Sequence, residues 1–83
     1  MGQVYLTNMG ELLTHAVHLG YGWNQAHNIL DKDGVFPEAE CHECTYDIDE
    51  VCNGGWDWSD DSVKIVKTFM EVNEVTEFTL VRG

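Results

Sequence analysis

Basic residues are scarce: Lys and Arg together number four against fifteen Asp and Glu, and the formal net charge at pH 7 is −11 across 83 residues. A surface this negative repels DNA, RNA and anionic lipid, which argues against direct nucleic-acid binding and against electrostatic attachment to a membrane. Cysteine is limited to three residues, an odd number that cannot pair completely. The expectation is a reducing, cytoplasmic setting rather than a secreted disulfide framework. No apolar run approaches the roughly 20 residues of a membrane span, and no basic leader followed by an apolar run opens the sequence. Met1-Gly2 begins like a myristoylation signal, but Leu6 stands where that signal needs Ser or Thr. Also missing are a G-x-S-x-G elbow, a phosphate-cradling glycine loop and a Cys–His nucleophile arrangement. With little room for a substrate cleft in a chain this short, no enzymatic activity is expected.

What is present suffices for one hydrophobic core. The hydrophobic share is 43%, with three residues each of Trp, Tyr and Phe. That is too apolar for a disordered acidic tail, and the length allows a single domain over residues 1–83. A short strand is expected over residues 3–7, with Val4 and Leu6 on one face and Tyr5 on the other. Asn8 and Glu11 stand three apart like a capping box, and Met9, Leu12, Leu13, Ala16 and Val17 follow at helical spacing until Gly20. A second helix over 23–32 places Trp23, Ala26, His27 and Leu30 on one stripe and ends at Gly34. Lys32 is its one basic residue, so the pair of helices is not expected to be a DNA-reading helix-turn-helix.

Residues 35–43 contain the single proline and read as a surface loop. Residues 45–51 alternate, with Tyr46 and Ile48 opposite Asp47 and Asp49, and Asn53-Gly54 is a hairpin signal followed by the alternation Trp56-Asp57-Trp58. A hairpin over about 45–58 is predicted. Ser59 then caps a helix to about residue 72, with Asp60 and Asp61 in its first turn. Ile65, Val66, Phe69 and Val72 are expected inward, and Lys64, Lys67 and Glu71 outward. A closing strand over 75–82 carries Phe78 and Leu80 on one face, and an exposed edge on it would allow homodimer pairing. The expected class is α+β, in the order β-α-α-β-β-α-β, with helices packed on an antiparallel or mixed sheet.

Cys41-His42-Glu43-Cys44 has the C-x-x-C spacing of a zinc knuckle, with Cys52 eight residues on and His42, His27, His15 or His18 as the fourth ligand. A second ligand pair at knuckle spacing is missing, and free thiols are the plainer alternative. The same cysteines do not begin a helix, as a thioredoxin-like redox pair would require. His15 and His18 are expected on the exposed side of the first helix, where two ligands alone make no site. Asp31-x-Asp33-Gly34 resembles part of a calcium loop, but Ile29 occupies the first ligand position and Pro37 interrupts the exit.

The charge is unevenly placed. Residues 31–61 hold eleven acidic side chains against Lys32 alone, a net −10, while residues 1–30 carry only Glu11 and residues 62–83 balance. On a strand, Asp47 and Asp49 would share one face about 6.6 Å apart, the scale of successive phosphates. Glu50, Asp57, Asp60 and Asp61 would extend the array, with Trp56 or Trp58 as an aromatic anchor. The plain alternative is a solvated face that serves solubility. In size and charge the chain is similar to small phage-type or mobile-element inhibitors that block nucleic-acid enzymes, some as DNA mimics; the likeness is compositional. The expected function is therefore that of a protein-interaction inhibitor that occupies a basic, nucleic-acid-binding surface of a partner. The alternative is a zinc-stabilised structural or adaptor module built on Cys41, Cys44, Cys52 and a histidine.

Overall fold

The computed structural model describes residues 5–36, 43–53 and 57–81. In chain order these form β1 (Tyr5–Asn8), α1 (Met9–His18), α2 (Trp23–Lys32), β2 (Glu43–Asp47), α3 (Ile48–Cys52), α4 (Asp60–Val72) and β3 (Glu77–Val81). The strands lie in the order β1-β3-β2, with β3 parallel to β1 and antiparallel to β2. The α+β class and the mixed sheet are as the sequence implies. The last strand, on which an exposed edge would have allowed homodimer pairing, is central among the described strands, and β1 and β2 are the edges.

Residues paired across the ladder share a face, so Tyr5 and Thr7 of β1 lie with Phe78 and Leu80 of β3 and with Cys44 and Tyr46 of β2. This face packs on the helices. Phe78 and Leu80 are completely buried, and Phe78 lies 5.5 Å from the ring of Phe69 and 5.6 Å from that of Tyr46. Leu12, Leu13 and Ala16 of α1, Ala26 and Leu30 of α2, and Ile65, Val66, Phe69 and Met70 of α4 complete the core. The opposite sheet face carries Leu6, which is 65% exposed, and the hydroxyl pair Thr45–Thr79 at 2.9 Å.

The helix termini follow their local chemistry. Asn8 Oδ1 accepts the Glu11 N–H at 2.9 Å and starts α1 as expected. Three helices then end alike. The Tyr21 N–H reaches back to the Ala16 carbonyl, the Val35 N–H to Leu30 and the Val75 N–H to Met70, each after a residue with positive φ, the Schellman arrangement. At the first two ends that residue is glycine, Gly20 and Gly34, but at the third it is Glu74 with φ 56°. A side chain there is strained, so Glu74→Gly is expected to raise the unfolding free energy by about 0.5–1 kcal/mol in urea titration. An unchanged midpoint would mean that the left-handed backbone at residue 74 carries no strain.

Between residues 45 and 58 the fold departs from the expected hairpin. The strand stops at Asp47, and residues 48–52 form α3 instead of continuing it. Asp47 Oδ1 accepts the Asp49 N–H at 2.8 Å, and Asp49 and Glu50 occupy the first helical turn, where the positive end of the helix dipole favours carboxylates. The alternation at 45–49 thus contains a helix cap, which a short period-2 pattern cannot exclude. Val51 is then buried, and Ile48 N–H bonds to the Thr76 carbonyl at 2.8 Å. Asp57 takes a left-handed backbone and Trp58 joins no ladder. Trp56 and Gly54 lie outside the described residues.

Other side chains shift face. Val72 is 70% exposed and Met70 takes the expected inward place. At about 100° per residue, the stripe Ser62, Ile65, Val66, Phe69 and Met70 leaves Val72 at its margin. Trp23, the first residue of α2, and Val17 are also exposed. His15 is half-buried rather than exposed, because α4 packs on this flank of α1. Its Nε2 lies 2.8 Å from Thr68 Oγ1 and its ring meets Phe69 edge-on at 5.5 Å. The Thr68 hydroxyl proton goes to the Lys64 carbonyl, so His15 is the donor. Burial, aided by the neighbouring His18, holds the His15 pKa below the ordinary histidine value.

Candidate functional site

The acidic residues singled out by the sequence divide between two ends of α4. At the first end, Asp47 caps α3 while Asp49 and Glu50 are exposed in its opening turn. The bond from Ile48 to Thr76 sets this group beside the turn that follows the C-terminus of α4. Asp57, Asp60 and Asp61 stand at the other end, where α4 begins, about 18 Å away along a 13-residue helix. The strand array with Asp47 and Asp49 on one face does not form, because Asp49 belongs to a helix. What exists is two carboxylate groups, each at a helix N-terminus. Among the described residues the side chains of Asp49, Glu50, Asp57 and Asp60 have no hydrogen-bond or ion-pair partner.

The N-terminal end of α4 is the more constructed of the two. Asp33, at the C-terminal end of α2, reaches across to it. One oxygen, Oδ2, accepts from the Ser59 backbone N–H at 3.1 Å, from the Ser59 hydroxyl at 2.8 Å and from the Ser62 hydroxyl. Ser59, expected to cap α4, makes no cap bond with its own side chain; Asp33 instead accepts the Ser59 N–H, one of the unpaired backbone donors at the start of the helix, and ties both serine hydroxyls. Burial alone would raise the Asp33 pKa, but the bonds from Ser62 and Ser59, with Lys32 alongside, outweigh it and hold the carboxyl below the ordinary range. Asp61 Oδ1 accepts from the Tyr21 hydroxyl at 2.8 Å; that bond, together with burial and the nearby negative charge, raises the Tyr21 pKa. The sequence offers Asp33 only as part of a calcium-like run and gives no sign of its bonds to Ser59 and Ser62 or of the Tyr21–Asp61 bond, since these act across more than 25 positions.

Trp58 stands between these carboxylates and the core. It is half-buried, with its ring 5.0 Å from that of Tyr46 at 68°. Tyr46 is pinned in turn by a hydroxyl bond to the Val35 carbonyl. A cleft of about 370 Å³ opens beside it, lined among the described residues by Asp33, Gly34, Cys44, Thr45, Tyr46 and Trp58.

Of the expected zinc ligands, Cys41 and His42 lie outside the described residues. Cys44 is half-buried on the helix-facing side of β2, and Cys52 is exposed at the end of α3. His27 lies against Phe36 at 5.2 Å. Among the described residues no three His, Cys, Asp or Glu side chains are grouped to hold a metal ion, and no described helix is long and apolar enough to cross a membrane. No family model, no curated protein and no solved structure matches the chain.

Proposed function

We propose that the chain is a protein-interaction domain that uses its carboxylate groups to occupy a basic, nucleic-acid-binding surface of a partner protein and so inhibits it. The observation that supports this reading is the set of exposed, unpartnered carboxylates at the N-terminal ends of α3 and α4. Helix dipoles stabilise charge at these positions without neutralising it by ion pairs. The resulting negative field steers basic surfaces toward the two ends and keeps nucleic acid away.

A partner bound in this way competes with nucleic acid and responds to salt, since the contact is between many screened charges. Proteins retained from host extract by the immobilised chain should include nucleic-acid-binding proteins that are released by added duplex DNA or RNA and by raised salt. Asp57→Lys with Asp60→Lys should reduce that retention at least about tenfold, a change of about 1.4 kcal/mol. Glu71→Lys with Glu74→Lys, which alters net charge equally, should leave it within about twofold. Retention that is indifferent to salt, to nucleic acid and to which pair is reversed would remove this reading and leave the charge to solubility.

A further inference from the structure

The cleft beside Trp58 combines three features that the carboxylates alone do not supply. Its walls come from separate elements, namely the end of α2 at Asp33 and Gly34, the edge strand β2 at Cys44, Thr45 and Tyr46, and Trp58 ahead of α4. Its aromatic wall is fixed, because Tyr46 is anchored to Val35 and holds the Trp58 ring at 5.0 Å. Its carboxylate is also fixed. Asp33 Oδ2 takes three donors from Ser59 and Ser62, while Oδ1 accepts from none of the described residues. A volume of about 370 Å³ is at the small end for a ligand site and suits one long side chain better than a cofactor.

We propose that this cleft seats a single arginine side chain of the partner, its guanidinium against the Trp58 ring and donating to Asp33 Oδ1. The choice of occupant rests on the acidic-interface reading and deepens it by naming a point of entry. A planar guanidinium satisfies both walls at once, stacking on an aromatic face while its N–H groups reach a carboxylate. Asp57 and Asp60, exposed beside Trp58, add the field that draws a cation in, and between residues 31 and 61 only Lys32 opposes it. Arginine and tryptophan are also the residues that most often dominate protein interfaces.

The test needs no partner. Isotope-labelled protein titrated with N-acetyl-arginine amide should show saturable NMR shifts at the Trp58 indole N–H and at the Gly34 and Thr45 amides. The citrulline analogue, equal in shape and neutral, should bind at least about tenfold more weakly, a difference of about 1.4 kcal/mol. Trp58→Leu should abolish the saturable response. Equal binding of arginine and citrulline would overturn the inference. So would unsaturated shifts spread over Asp49, Glu50, Asp57 and Asp60, an outcome that leaves the acidic-interface reading standing. Selective, saturable binding here, with extract capture indifferent to nucleic acid, would support the cleft and remove only the reading on which its occupant was chosen.

Discussion

Phe78→Ala is expected to destabilise the protein by about 3–5 kcal/mol, the usual cost of deleting a fully buried phenyl group. Phe78 is on the central strand, has no exposed surface, and touches the aromatic rings of both α4 and β2 through Phe69 and Tyr46. Neither neighbour can collapse into the space easily. Tyr46 is tied to Val35 by its hydroxyl, and Phe69 is braced edge-on by Tyr5 at 6.2 Å and by His15 at 5.5 Å. A domain of this size has only about 4–12 kcal/mol in total, so a large part of the population should unfold at modest urea. Leu6→Ala, on the open face of the same sheet, should stay within about 0.5 kcal/mol. Comparable urea midpoints for the two variants would mean that the helices cover the wrong face of the sheet.

Asp33→Ala should be the most damaging substitution of a charged residue, at about 2–4 kcal/mol. It removes the acceptor of the Ser59 N–H and hydroxyl at the start of α4, and it leaves the completely buried Ser62 hydroxyl without its acceptor. The pH dependence has a definite sign. The folded carboxyl holds its proton less tightly than the unfolded one, so its contribution is fully present above the ordinary Asp value near 3.8. That contribution is lost as pH falls through the lower, folded pKa. The stability gap between wild type and Asp33→Ala should therefore be constant from pH 7 to pH 5 and narrow below about pH 4. A gap that persists unchanged in acid would show that Asp33 acts through packing alone. Asp60→Ala, which also removes a carboxylate from this end of α4, should cost much less because no described donor depends on it.

These two residues also mark where the sequence was legible. Phe78 sits in a period-2 run whose apolar face is plain, just as Asn8 and Glu11 announce α1 and Gly34 ends α2, because each of these signals acts within a few residues. Asp33 gives no such sign. Its partners are 26 and 29 positions away, and locally it reads as one more acid in an acidic run. The region from Asp47 to Val51 misled for a different reason. Asp-Ile-Asp-Glu-Val fits an alternating strand and a capped helical turn about equally, and the outcome is decided by the Ile48 bond to Thr76 and by the burial of Val51, both tertiary. Of the candidate site, the excess of carboxylates was visible. Their division between the two ends of α4 was not, because it follows from that single turn of helix.

The place of β3 governs how the chain becomes a protein. β1 and β2 have no contact in the ladder except through it, and Tyr5 can meet Phe78 only after the intervening helices and β2 have been made. At about 5–20 residues per second of synthesis, the α1 and α2 segments precede β3 by several seconds, with the sheet that covers their apolar stripes still incomplete. Two prospective edge strands wait with them. This is the interval in which nascent chains associate with one another. Residues 31–61, already translated, carry their net −10 through that interval and impose mutual repulsion on neighbouring unfinished copies. By charge alone, the acidic segment would oppose such contacts before there is any folded surface for a partner to meet, on a sheet whose middle strand follows its two edges in the chain.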